Sequence, residues 1–126
     1  LSDFAGQICE TLHKTSGRIT AIADRDSIIA VNGLPKRELQ DKRISAELEA
    51  AMEARQTYLR KSGEHGLPVI DGACAYTVAV ASPILSEGDL MGCVLFLTEE
   101  NAQPLGEVEN KLAVTVAKFL GKQMES

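Results

Sequence analysis

AYTVAVASPILSEGDLMGCVLFLT, residues 75–98, holds two strands and the turn between them. Tyr76, Val78 and Val80 alternate with Thr77, Ala79 and Ala81, a period of two that predicts a strand with small residues on one face. Pro83 is expected to end or bend that strand, because proline donates nothing to a ladder. Ser86-Glu87-Gly88-Asp89 is hairpin-turn chemistry. The chain returns through Leu90–Leu97, apolar on both faces, which predicts a central strand covered on both sides.

Working outward, Gln103-Pro104 opens a long helix, proline being favoured at the first helical position. Its predicted stripe is Leu105, Val108, Leu112, Val116, Phe119 and Leu120, with Ala113 and Ala117 alongside where they permit close approach. Near the start, Phe4, Ile8 and Leu12 recur every four residues beside Ala5 and Cys9, a helix ended by Ser16-Gly17. Ile19–Asp24 and Ile28–Asn32 predict strands on either side of the turn Arg25-Asp26-Ser27, and Asn32-Gly33 with Pro35 closes the second.

Between these parts lies a helical excursion. Pro35–Gln40 predicts a short helical turn. Ser45 is the expected N-cap of a helix whose Leu48, Ala51, Met52 and Arg55 share one face. Thr57–Arg60 and Val69-Ile70 predict short strands about the Gly-containing loop Ser62–Leu67. The sum is α+β: one antiparallel sheet, the N- and C-terminal helices packed on one face and the helical excursion on the other.

With 126 residues, 44% apolar and 25% charged, residues 1–126 form one domain with a core of ordinary size. The net charge of −5 is too small, and the apolar content too high, for disorder. No apolar run reaches the roughly 18 residues of a membrane span. The first residue is Leu1, with no signal peptide before the domain, and the opening helix reads as mid-protein; the chain is expected to be part of something longer. Three cysteines without framework spacing (Cys9, Cys74, Cys93) indicate a reducing, cytoplasmic setting.

Seven of the 13 basic residues fall between residues 34 and 61, including Arg55, Arg60 and Lys61, but five acids share that stretch. It reads as a solvated mixed-charge face, so no direct contact with nucleic acid is expected. No phosphate loop, zinc motif or calcium loop occurs, so no metal site and no catalytic residue is assigned. Cys9 and His13 share a helical face and read as a buried thiol beside an exposed histidine. Cys74 and Cys93 bracket the hairpin, and packing is the reading for both. Tyr58 and Tyr76 fall on strands beside the helix of Leu48 and Met52, where they read equally as the lining of an apolar pocket with polar tips or as core tyrosines with bonded hydroxyls. The candidate pocket is Leu48, Met52, Tyr58, Ile70, Tyr76 and Val78.

Pro83-Ile84, Gly88 and Leu90-Met91-Gly92-Cys93-Val94-Leu95 resemble a loose signature of GAF domains. More specific are Asp24-Arg25-Asp26-Ser27 with Ile29-Ala30-Val31, Gly106-Glu107-Val108-Glu109, and Ala117, Phe119-Leu120 and Gln123-Met124-Glu125. Together these resemble the C-terminal GAF domain of the stage V sporulation protein T family of transcriptional regulators. The similarity runs over nearly the whole chain and is least in the loop from Ser62 to Ala75.

The resemblance implies a regulatory, non-enzymatic domain of a cytoplasmic sporulation factor. DNA is then contacted only by a swapped-hairpin domain upstream, and the factor assembles as a homo-oligomer, dimer or tetramer, partly through helices of this domain. The interface candidates are Phe4, Ile8, Leu12, Leu112, Val116 and Phe119. GAF domains elsewhere hold small molecules between the sheet and the helical excursion, so an effector is expected, with its identity and any cofactor unknown. A ligand-free dimerisation module is the alternative, and a thiol-dependent methionine sulfoxide reductase a distant third.

Overall fold

The computed structural model describes residues 2–125. Helix α1 spans Ser2–Ser16, strand β1 Ile19–Asp24 and strand β2 Ile28–Asn32. A 3-10 turn at Lys36–Glu38 leads to helix α2, Ala46–Glu53, then the short strands β3, Tyr58–Leu59, and β4, Leu67–Pro68. The long strands β5, Tyr76–Ser86, and β6, Asp89–Glu99, precede helix α3, Glu107–Gln123. The strand order is β2-β1-β6-β5-β3, with β4 also on the outer edge of β5, and every pair is antiparallel.

Strand β6 is central, as its two-sided apolar run requires. Cys93, Leu95 and Leu97 enter the core beneath the excursion, while Val94 and Phe96 enter the core beneath α1 and α3. Terminal helices and excursion therefore cover opposite faces of one sheet. The β5–β6 turn places Glu87 (φ 52) and Gly88 (φ 85) in left-handed conformations, the pair that matches the twist of a tight hairpin. The turn before β2 is held by Asp24, whose carboxylate accepts the N–H groups of Asp26 and Ser27 at 2.8 Å each.

Several expectations are corrected. Pro83 does not end β5; it pairs with Cys93, and among the described residues the outer edge of β5 carries no strand beyond Ala81, so proline is tolerated there. Val78 and Val80 do not share a face. The ladder slips between them, so Val78 joins the excursion core while Ala79 and Val80 join the helix core. Helix α2 stops before Arg55, which is left-handed (φ 57) and donates from Nε to the Gly88 carbonyl at 3.1 Å. The strand expected at Val69-Ile70 forms two residues earlier. The Val69 carbonyl accepts instead from the Ser45 N–H at 3.0 Å, and Ile70 makes an isolated bridge to Ile44.

The inner faces of both terminal helices also differ from expectation. α3 presents Ala113, Ala117, Leu120 and Gly121 to the sheet, and α1 presents Ala5, Cys9 and Leu12. A Cβ at Gly121 would meet the Leu85 carbonyl of β5, so the helix backbone rests almost directly on the strand. Small residues permit that approach, and the larger ones are displaced outward.

Candidate functional site

The six pocket candidates do come together. Leu48, Met52, Ile70 and Val78 are buried in one apolar cluster beneath the excursion, with Tyr58 and Tyr76 half-buried against it. Ser45 fixes α2 there, its Oγ accepting the Leu48 N–H at 3.0 Å and donating to the Pro68 carbonyl at 2.6 Å. Burial, and then the Glu64 carboxylate, push the Tyr58 phenol above its ordinary pKa.

Side chains fill this interior. An opening of about 20 Å³ beside Met52 and Cys93 has room for about one water. A separate cleft of about 210 Å³ opens at the other end of the cluster, at Gly66, Ile70, Cys74, Tyr76 and Thr77.

The thiols are placed for packing. The Cys9 sulfur lies 3.1 Å from the Thr20 hydroxyl and donates to the Thr20 carbonyl at 3.2 Å; burial pushes its pKa up to about 11. Burial, and then the charge of Asp24, push Cys93 up to about 12. Cys93 pairs with Pro83, whereas Cys74 precedes Tyr76, whose partner is Glu99. That offset along β6 amounts to roughly 20 Å, too far for a thiol pair. His13 turns away from Cys9, its Nδ1 2.7 Å from the Arg18 carbonyl oxygen. Among the described residues no group of three or more His, Cys, Asp or Glu side chains converges as a metal site would need, and no helix is long and apolar enough to cross a membrane.

The opposite face of the molecule carries the apolar surface. Helices α1 and α3 run antiparallel, since Arg18, just past the end of α1, pairs through Nε with Glu109 in the first turn of α3 at 3.5 Å. Glu109 also accepts the Gly106 N–H at 3.1 Å, closing the helix start.

Between the two helices lies a groove of about 410 Å³ lined by Ile8, Leu12, Leu112, Val116 and Phe119, with Thr11, Thr15 and Thr115. Phe4, Val108 and Phe119 are 49%, 66% and 51% exposed, and among the described residues they are the exposed large apolar side chains. Of the interface candidates only Leu12 is buried; Ile8, Leu112 and Val116 are partly covered, and Phe4 and Phe119 stand out. Charge is divided along α3, with Glu107 and Glu109 in its first turn and Lys122 in its last.

One residue escaped the sequence reading. Arg60, placed there in a solvated charge stretch, is 5% exposed. Nothing in the pattern separates it from its exposed neighbour Lys61.

A family model described as "Stage V sporulation protein T C-terminal, transcription factor" matches residues 1–125. The chain is 36% identical over 129 residues to stage V sporulation protein T of Bacillus subtilis (strain 168), covering 99% of this chain and 69% of that protein. Among solved structures it is similar to the GAF domain of a phosphoenolpyruvate-protein phosphotransferase from Coxiella burnetii. The TM-score is 0.74 at 16% identity, over 98% of this chain and 81% of that one. It is also similar to a type II free methionine-R-sulfoxide reductase from Thermoplasma acidophilum, with a TM-score of 0.70 at 9% identity over 96% and 92% of the two chains. At such identities the structural likeness establishes the GAF fold alone.

Proposed function

The chain belongs to the stage V sporulation protein T C-terminal family of transcription factors, and from that premise we propose that it is a regulatory domain that self-associates through the α1–α3 face. The observation that carries this reading is the apolar groove walled by Phe119, with exposed Phe4 and Val108 four residues from its lining residues Ile8 and Leu112 on the same two helices. The occupant is a second copy of the chain. A two-fold axis that sets α3 antiparallel to its mate brings the acidic start of each helix to the basic end of the other, a self-complementary arrangement. DNA is then contacted in the cytoplasm by a separate domain of the factor, whose spacing the paired helices set.

Regulation requires two packings of the domain and an effector that binds one of them better. Leu48, Met52, Tyr58, Ile70, Tyr76 and Val78 remain the proposed contacts, and the cleft at Ile70 and Tyr76 is the way in. A second reading, a self-associating module without effector, is favoured by the filled interior around Leu48 and Val78. Thiol-dependent reduction of methionine sulfoxide draws no support from Cys93, which is buried and far from Cys74.

Size-exclusion chromatography with light scattering tests the face. The chain is expected to run as a dimer or tetramer, and the double variant Val108→Asp/Phe119→Asp as a monomer with unchanged circular dichroism. A monomeric parent, or a variant that keeps the parent's mass, would falsify the proposal. Native mass spectrometry separates the two readings, since an effector adds mass to the oligomer and a bare module does not.

A further inference from the structure

Arg60 is buried without an acidic partner. Its Nη1 donates to the carbonyls of Glu64 at 3.2 Å and Glu100 at 3.5 Å, its Nη2 donates to that of Ala102, and its Nε is buried with no hydrogen-bond partner. Among the described residues no carboxylate forms an ion pair with it. Buried cations are ordinarily paired, because carbonyl dipoles offset only part of the lost hydration.

Arg60 also walls an open cleft of about 290 Å³ between loop 61–66 and loop 100–104, where Ser62, His65 and Gln103 bring further polar groups. At the same end of the sheet, Thr77 and Thr98 face each other across β5 and β6, and both hydroxyls are buried without partners.

We infer that this cleft is a binding site for a small oxyanion ligand, a carboxylate or a phosphate, with Arg60 as its charge partner. With Nη1 and one N–H of Nη2 given to carbonyls, the donors left for a carboxylate or phosphate oxygen are Nε and the second N–H of Nη2, both charge-assisted. The two carboxylates at the rim have partners already. Glu64 accepts the Lys61 N–H at 2.9 Å, and Glu100 Oε1 lies 2.8 Å from His65 Nδ1. They keep negative charge near the site, which limits affinity and fixes the sign of the test below. Loop 100–104 runs on into α3, so an anion held there bears on the start of that helix. The site adjoins the cleft at Ile70 and Tyr76, with Glu100 lining both, and does not depend on self-association.

Sodium phosphate and sodium acetate are titrated separately into the nitrogen-15-labelled chain at constant ionic strength, and the amide resonances of residues 60–66 and 99–104 are followed. Saturable shifts confined to those loops are expected, and the anion that saturates first identifies the ligand as phosphate- or carboxylate-bearing. Glu100→Gln removes a like charge from a half-buried position and is expected to tighten binding about threefold to tenfold. Arg60→Gln is expected to abolish it, and Arg60→Lys, with charge but no fork, to weaken it. Should the Arg60 variants fail to fold, Glu100→Gln decides alone. No saturation with either anion up to about 50 mM, or an affinity that Glu100→Gln leaves unchanged or weakens, overturns the site.

Discussion

Gly121 of α3 lies so close to the Leu85 carbonyl of β5 that a single added methyl group would overlap it. The contact is backbone on backbone, so no side chain can swing aside. Gly121→Ala is therefore expected to lose about 1–3 kcal/mol in urea denaturation. Gly6, on the exposed side of α1 with open space around it, makes the control: Gly6→Ala is expected to gain about 0.5–1 kcal/mol from helix propensity. Equal changes of the same sign at both positions would mean that helix propensity alone governs them.

Ser45 joins the start of α2 to the end of β4 through one hydroxyl. Ser45→Ala is expected to cost about 1–2 kcal/mol, since the buried Leu48 N–H loses its cap. Ser62→Ala, on an exposed loop, is expected to stay within about 0.5 kcal/mol of the parent in the same measurement.

The thiols give a pH dependence with a definite sign. Cys9 and Cys93 move from 9.0 to about 11 and about 12 in the folded chain, so the native state holds its protons after the unfolded chain has released them. Their contribution is whole below pH 9 and is lost as pH rises from there through 11 and 12. Alkaline unfolding is expected to be shallower in Cys93→Ala. At pH 8 a thiol-specific dye should modify Cys74 alone in the native chain and all three cysteines in denaturant.

Leu48 is fully buried in the excursion core. Leu48→Ala is expected to cost about 2–5 kcal/mol, the loss of transfer energy together with a cavity. The resulting space should admit a small apolar gas such as xenon in a crystal, where the parent admits none. A much smaller loss would show that the excursion collapses readily onto the sheet, and hence that two packings lie close in energy.

The sheet was legible because β6 is apolar at both parities of its register and because Ser86–Asp89 is unambiguous turn chemistry. The faces of α3 were not. Ala113, Ala117 and Gly121 repeat every four residues as regularly as Val108, Leu112 and Val116, so both faces satisfy helical spacing. The expected stripe ran across both, with Leu105 and Leu120 buried and Val108 and Phe119 exposed, because the sheet approaches the helix too closely for large side chains between them. The faces of Val78 and Val80 were hidden by a one-residue slip in the ladder, which no alternation pattern announces. The six pocket candidates pack in one cluster because they are largely apolar and lie on the excursion or on the strand beneath it. Whether such residues surround a space or fill it depends on their fit, which spacing does not encode.

The β5–β6 hairpin, closed by Glu87-Gly88, sets the order in which the chain assembles in time. Its strands are neighbours in sequence, so closing it costs little chain entropy. Strand β1 must instead find β6 across most of the chain, with Ile19 opposite Leu97. The hairpin is thus the natural early event, and the docking of α1 and β1 a late one. Substitutions at the turn will slow refolding, while those under α1 will chiefly hasten unfolding. The half-life of the folded domain is accordingly governed at its first helix, far along the chain from the segment that starts its folding.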